Sequence, residues 1–154
     1  MRRRRSHLSR GVAAVEMALI LPALLLMVFG LLESGNLFLS WLTVQKSAEM
    51  GARFAATGQG EDEGTRLAQI VEQTNVLLST LPSAGSTVSV RSWPGLDTSG
   101  PGVSGSAGQP CGVVEVGVSF LYKPITPFIG DALPETVQLT GADRKVNEPW
   151  KPCP

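Results

Sequence analysis

Side chains that could do chemistry are few in this chain of 154 residues. The single histidine, His7, lies in a basic N-terminal tail, so no Ser/His/Asp or Cys/His arrangement can form in the C-terminal part of the chain, and no carboxylate pair stands in a recognisable catalytic setting. Nucleophilic hydrolysis needs a base beside the nucleophile, and general acid–base catalysis needs positioned titratable groups. We therefore predict that the protein is not an enzyme and that it uses no cofactor.

Two cysteines, Cys111 and Cys153, fall in the C-terminal part of the chain. They lack the C-x-x-C spacing of a metal site, so we predict that no metal is bound. An even number of cysteines in an oxidising compartment is typical of a disulfide. We expect one bond between them, which would hold the C-terminal tail against the last strands.

Glu16 is the only charged residue among the 21 residues from Val12 to Leu32. A helix of that length covers about 31 Å, which is close to the hydrocarbon thickness of a bilayer. The segment is therefore predicted to be a transmembrane helix, with Pro22 as a tolerated kink. A carboxylate costs roughly 2.5–3.5 kcal/mol at the bilayer centre and less near an interface. Glu16 is either an anchor residue that reaches the cytoplasmic interface or a functional group.

The charges on the two sides of the apolar run predict its orientation. Arg2 to Arg5 and Arg10 precede the run, whereas 13 acidic and 8 basic residues follow from Val12 onward. Such a bias keeps the N-terminus cytoplasmic and the C-terminal part outside. A removed secretory signal would also begin this way, but LLESGNLF offers no good cleavage site. The acidic body argues against nucleic acid as a partner, and membrane lipid is the expected one.

The helical pattern continues beyond the apolar run to about Thr57, so residues 33–58 are predicted to project from the membrane as the same helix. Glu33 is expected to mark where the helix leaves the membrane, in contact with water. One side of the projecting part carries a stripe of small residues, Ala48, Gly51, Ala52 and Ala55. Such a stripe lets another element pack close to the helix axis, either the protein's own domain or a separate partner.

Residues 59–154 have the pattern of a small α+β domain. TRLAQIVEQTNVLLSTLP predicts a second amphipathic helix, which Pro82 ends. Alternating apolar residues then predict three strands, within 86–93, 111–122 and 135–145, that form a small antiparallel sheet. The Gly/Ser-rich loop 94–110 has no evident core residue to order it. The basic leader 1–11 and the membrane helix 12–32 complete the predicted domain order.

Several motifs resemble a known family. A basic leader, a glycine, an apolar run and a glutamate five residues after the glycine resemble the processing site of type IV prepilins. The wider pattern resembles the TadE-like pseudopilins, accessory subunits of bacterial tight-adherence (Tad, or Flp) pili. VEVGVSFLYKPITPFIG and VQLTGADRKVNEP are similar to the final hairpin of that family. The matching N-terminal motifs are Ala14-Val15-Glu16, Pro22, Glu33-Ser34-Gly35 and Gly51-Ala52-Arg53-Phe54-Ala55.

The resemblance implies a minor pilin of the bacterial inner membrane that takes part in assembly of the Tad pilus. A prepilin peptidase would cut between Gly11 and Val12, and the α-ammonium of one subunit would pair with Glu16 of its neighbour. The implied partners are other pilins and pseudopilins, the inner-membrane assembly platform and the peptidase. The alternative is a permanently anchored single-pass envelope binding protein with an unprocessed N-terminus.

Overall fold

The computed structural model describes residues 5–82, 85–126 and 134–153, with side chains from residue 11 onward. In these ranges the chain forms two helices followed by four strands, an α+β arrangement as predicted. The sheet has one strand more than the three expected from the sequence. The elements are α1 (Arg5–Ala56), α2 (Arg66–Leu78), β1 (Ser86–Trp93), β2 (Val103–Ser104), β3 (Val113–Tyr122) and β4 (Val137–Val146).

Helix α1 is longer at its N-terminal end than predicted, because it begins at Arg5 and runs through Gly11. A glycine inside a helix costs only about 1 kcal/mol, and no proline precedes Pro22, so nothing in the leader stops the helix. Pro22 lies inside α1. After Ala56 the chain turns through Gly58, whose φ of 72° is in the left-handed region that favours glycine.

Helix α2 ends at Leu78, four residues before Pro82, so the sequence-based boundary was too late. The hydroxyls of Ser79 and Thr80 donate hydrogen bonds of 2.7 Å to the carbonyls of Val76 and Leu77. Such local bonds compete with the helical pattern and favour its end at these residues. Pro82 also disfavours helical geometry at the residue before it, Leu81, so α2 does not continue up to the proline.

The sheet has the order β2-β1-β3-β4, and every neighbouring pair is antiparallel. In the long strand β3 the buried side chains alternate with half-buried or exposed ones, which is the period-two pattern read in the sequence. Val116 at the centre of β3 pairs with Val90 of β1 and with Asp143 of β4. One face of the sheet therefore forms core and the other is partly open to solvent.

Both helices pack on the apolar face of the sheet. The close approach of α1 to β4 is visible at Gly141, where a Cβ atom would lie 3.1 Å from the Cα atom of Gln45. The two groups of core side chains are Val44, Ala48, Leu78, Val118, Phe120, Tyr122 and Leu139, and Ala52, Ala55, Ile70, Val90, Ala107, Val114 and Val116. A small antiparallel sheet is marginal alone, and the helices supply the apolar cover that it needs.

The loop between β1 and β3 is better ordered than its composition predicted. It contributes β2, which pairs with the end of β1, and it buries Ala107 in the core. The indole Nε1 of Trp93 donates a 2.8 Å hydrogen bond to the carbonyl of Gly100. The amide nitrogen of Asn147 donates to the carbonyls of Ala107 and Gln109. The loop is thus ordered by side chains outside it, which its own composition does not reveal.

Candidate functional site

The predicted processing junction lies on an open stretch of α1. Gly11 is exposed, and a Cβ atom built there would meet no other atom within 4 Å. Val12 is 58% exposed. The side chains of the basic leader lie outside the described part of the chain. A protease could therefore reach the Gly11–Val12 bond without displacing the folded domain, although it would have to unwind α1 locally.

Glu16 lies one turn beyond the junction, on a helix surface that is otherwise apolar. Every side chain from Val12 to Val28 is exposed. Among the described residues, Glu16 has no hydrogen-bond or ion-pair partner. A continuous apolar surface of this size is unusual on a soluble monomer and marks a membrane or protein contact. Helix α1 is long and apolar enough to cross a membrane.

Glu33 lies where this free part of α1 meets the domain, and it does not face water as the sequence had suggested. Its side chain is only 2% exposed. The Tyr122 hydroxyl donates a 2.5 Å hydrogen bond to its carboxylate, and the hydroxyl and amide of Thr126 donate bonds of 2.6 Å and 3.0 Å. The amide of Ile125 adds a longer contact of 3.3 Å. The expectation of a solvated Glu33 was therefore wrong, because the loop after β3 covers it.

The protonation states of Glu33 and Tyr122 follow from their surroundings. Burial by itself raises the pKa of Glu33, but the hydrogen bonds from Thr126, Tyr122 and Ile125 together outweigh it and hold the pKa below the ordinary 4.5. Burial, together with the hydrogen bond to the Glu33 carboxylate and its charge, raises the pKa of Tyr122 above 10.0. Glu33 is thus charged and Tyr122 neutral at physiological pH.

A signal for the Glu33 contact was present in the sequence. Leu37, Val44 and Ala48 mark the face of α1 that packs on the sheet, and the same spacing extended backwards reaches Glu33. The chain has a single tyrosine, at the end of the strand that packs there. The partner loop, however, is 92 residues away in sequence, and no local rule identifies it.

The comparison with protein families bears on the segment that contains both glutamates. Residues 11–53 match the TadE-like protein family. The match begins at Gly11, the residue before the predicted cleavage, and ends within the projecting half of α1. It supports the resemblance to the TadE-like family over the N-terminal part of the chain. Neither a curated protein nor a solved structure matches the chain.

The TadE-like segment also contains the stripe of small residues, which is covered by the protein's own domain. Ala48, Ala52 and Ala55 are fully buried. At Gly51 a Cβ atom would lie 2.1 Å from the Oγ1 atom of Thr74 on α2, so α2 packs directly against the helix backbone there. The stripe is therefore occupied within one chain and offers no free surface to another subunit.

The disulfide expected from the sequence is confirmed, because Cys111 and Cys153 are bonded, with their Cα atoms 5.7 Å apart. Cys111 adopts a φ of 64°, unusual for a residue other than glycine. Its amide donates a 3.1 Å hydrogen bond to the carbonyl of Asn147, just after β4. The bond therefore ties the C-terminal tail to the start of β3, outside the TadE-like segment.

Arg66 at the start of α2 forms a buried cluster that was not expected from the sequence. Its guanidinium donates hydrogen bonds of 2.8 Å to the carbonyl of Ala55 and 2.6 Å to that of Gly108. It also lies 4.4 Å from the ring centroid of Trp150. The same ring covers Gly58, where a Cβ atom would be 2.2 Å from it. Arg66 thus joins the end of α1, the β1–β3 loop and the C-terminal tail.

An open groove of about 530 Å³ is lined by residues of α1 and by residues at the end of α2. Its lining is mixed, with Leu39, Leu42 and Leu77 beside Lys46 and Arg53. Within the described ranges, no group of three histidine, cysteine, aspartate or glutamate side chains could hold a metal ion.

Proposed function

We propose that this protein is a minor pilin, or pseudopilin, that takes part in assembly of a bacterial Tad pilus. Residues 1–11 form a cytoplasmic leader, residues 12–32 cross the inner membrane, 33–58 project from it, and 59–154 form the extracytoplasmic domain. A prepilin peptidase removes the leader after Gly11. The mature helix then joins other pilins and pseudopilins at the inner-membrane assembly platform.

The observation that carries this proposal is the position of Glu16 within the TadE-like match. The match begins at Gly11, and Glu16 is the fifth residue after it, on an apolar helix surface with every neighbouring side chain exposed. A lone anchoring helix gains nothing from a carboxylate at this place. A helix that bundles with others can use the charge to select the register of its neighbours.

The proposed chemistry at Glu16 is a pairing of charges between subunits. Cleavage after Gly11 creates an α-ammonium group on Val12, at the cytoplasmic surface of the membrane. Within one chain Glu16 is one helical turn from that group, and in a bundle the Glu16 of one subunit neutralises the ammonium of the next. Either charge, if unpaired, would be costly among apolar helices. The pair is tolerated and fixes the axial alignment of neighbouring helices.

The division of α1 into two halves supports this assignment. The upper half, from Glu33 to Ala56, is held by the sheet, by α2 and by the Glu33 carboxylate contacts. The lower half, from Val12 to Val28, is exposed along its whole length, and all its side chains except that of Glu16 are apolar. Only the lower half is therefore free to exchange lipid for the helices of other pilins.

One observation favours the alternative, a permanently anchored envelope binding protein. Helix α1 continues without a break from Arg5 through the Gly11–Val12 bond, whereas a protease cleft takes an extended chain. If the leader stays helical, the bond is protected and residues 1–11 remain part of the protein. The two proposals share the membrane topology and differ in the N-terminus of the protein found in membranes.

N-terminal sequencing of protein extracted from host membranes that contain the peptidase decides between them. The processed pilin begins at Val12, and Gly11→Leu blocks the trimming because the cleft has little room beside the scissile bond. Gly30→Leu is the matched control, since both glycines lie in α1 with no atom within 4 Å of a built Cβ. Parent protein that retains Met1 or Arg2 would support the permanent anchor.

A further inference from the structure

The loop that follows β3 contacts α1 at the level where the apolar run ends. The amides of Ile125 and Thr126 bond the carboxylate of Glu33, the residue directly after the apolar run. This contact fixes the height of the loop along the helix axis. No other described loop has a hydrogen bond to this end of the projecting half of α1.

Helix geometry gives that height in numbers. Side chains on a helix lean toward its N-terminus by about one residue, so the Glu33 carboxylate lies near the level of Leu32, where the apolar run ends. Each residue advances about 1.5 Å, and the headgroup layer on one side of a bilayer is about 5–7 Å thick. With residues 12–32 in the hydrocarbon, the loop atoms that touch Glu33 lie within the headgroup layer.

The side chains of this loop suit that layer. Ile125 is 62% exposed although it is apolar, and Lys123 is exposed beside it. An exposed isoleucine gains by entering the boundary between headgroups and acyl chains. A lysine places its stem along apolar surface and its ammonium among lipid phosphates. The hydroxyl and the amide of Thr126 instead turn inward to Glu33, so the loop does not expose these two groups to lipid.

We propose that the loop 123–126 is a second membrane contact, which lays one edge of the domain on the outer surface of the inner membrane. Ile125 enters the interface and Lys123 binds lipid phosphate. The Glu33 carboxylate holds the loop at this height, so helix and domain meet the membrane as one unit. The inference rests on the membrane insertion of residues 12–32 proposed above.

Site-specific photo-crosslinking of the full chain in vesicles of phosphatidylethanolamine and phosphatidylglycerol tests the proposal. The photoreactive residue p-benzoylphenylalanine replaces one side chain at a time, and adducts are identified by mass. Ile125 is the test position, and Leu25, in the apolar run, reports membrane insertion. Leu96 is the control because it is 71% exposed and lies in the β1–β3 loop. An intact Cys111–Cys153 disulfide in each variant shows that the domain is folded.

We expect a mass shift of one phospholipid for the variants at Leu25 and Ile125 and none at Leu96. Lys123→Gln should lower the share of phosphatidylglycerol in the Ile125 adducts by up to about fivefold, because one lysine near an anionic surface contributes on that scale. Lipid adducts at Leu25 alone, or an Ile125 adduct with a second protein chain instead of lipid, would overturn the membrane contact. Absence of adducts at Leu25 as well would instead overturn the insertion of the helix.

Discussion

Replacement of Glu33 by glutamine tests whether its carboxylate holds α1 to the domain. The substitution keeps the shape but removes the charge and turns one acceptor oxygen into a donor that faces other donors. The hydroxyls of Tyr122 and Thr126 and one backbone amide now bond that carboxylate within 3.0 Å. A hydrogen bond to a charged group contributes about 1.5–3 kcal/mol, and a buried group without a partner adds a penalty.

We therefore expect Glu33→Gln to lower the free energy of unfolding by about 2–4 kcal/mol, a factor of roughly 30 to 1000 in the unfolding equilibrium. Urea unfolding of the full chain in detergent, followed by tryptophan fluorescence, gives this number. Glu49→Gln is the matched control, since Glu49 pairs with Lys46 and Arg53 on the exposed side of the same helix. Exposed pairs of this kind contribute little to stability, so Glu49→Gln should leave it nearly unchanged.

A double-mutant cycle with Tyr122→Phe isolates the contact itself. If the 2.5 Å bond between the two side chains is a main component, the two substitutions should be clearly non-additive. Equal stabilities for Glu33→Gln and Glu49→Gln, or full additivity with Tyr122→Phe, would refute the claim that the buried Glu33 carboxylate holds α1 to the domain.

Three further predictions concern the same domain. The stability of the domain should fall in acid, as pH drops from 4.5 through the lowered pKa of Glu33. It should also fall in base, as pH rises from 10.0 through the raised pKa of Tyr122. Urea unfolding at a series of pH values measures both effects. Cys153→Ser should lower stability by roughly 2–4 kcal/mol, and two free thiols in alkylation of the unreduced parent would contradict the disulfide. Gly51→Ala, which collides with a side chain of α2, should destabilise by about 1–3 kcal/mol, whereas Gly35→Ala at an open helix position should be neutral or stabilising.

Periodicity in the sequence was enough to predict most of the fold. The helical spacing of Leu37, Trp41, Val44 and Ala48 predicted that α1 continues beyond the membrane segment. The alternating valines of β1 and β3 identified the strands, because such patterns are local. The element ends were less accurate. Side-chain hydroxyls ended α2 before Pro82, and nothing in the leader stopped α1 at Val12.

Contacts between distant residues could not be predicted in the same way. The strand β2 exists because its loop packs on Trp93 and is held by Asn147, which lies 40 residues away from Ala107. Glu33 and Arg66 looked like ordinary surface charges, since their partners become neighbours only in the fold. The candidate site at Gly11 and Glu16 was visible in the sequence because its signal is a short local motif.

The central claim is that Glu16 joins this protein to other pilins, and one measurement tests it most directly. Pilin partners are co-purified and pili are counted from cells that carry Glu16→Leu or the neighbouring control Met17→Leu. Loss of one member of a buried ion pair costs on the order of 3–5 kcal/mol, so association should fall by a factor of hundreds or more. We expect Glu16→Leu to remain inserted in the membrane but to lose its pilin partners and most pili, while Met17→Leu retains both. Equal partner recovery and equal piliation for the two variants would contradict the claim and leave Glu16 as an ordinary anchor residue.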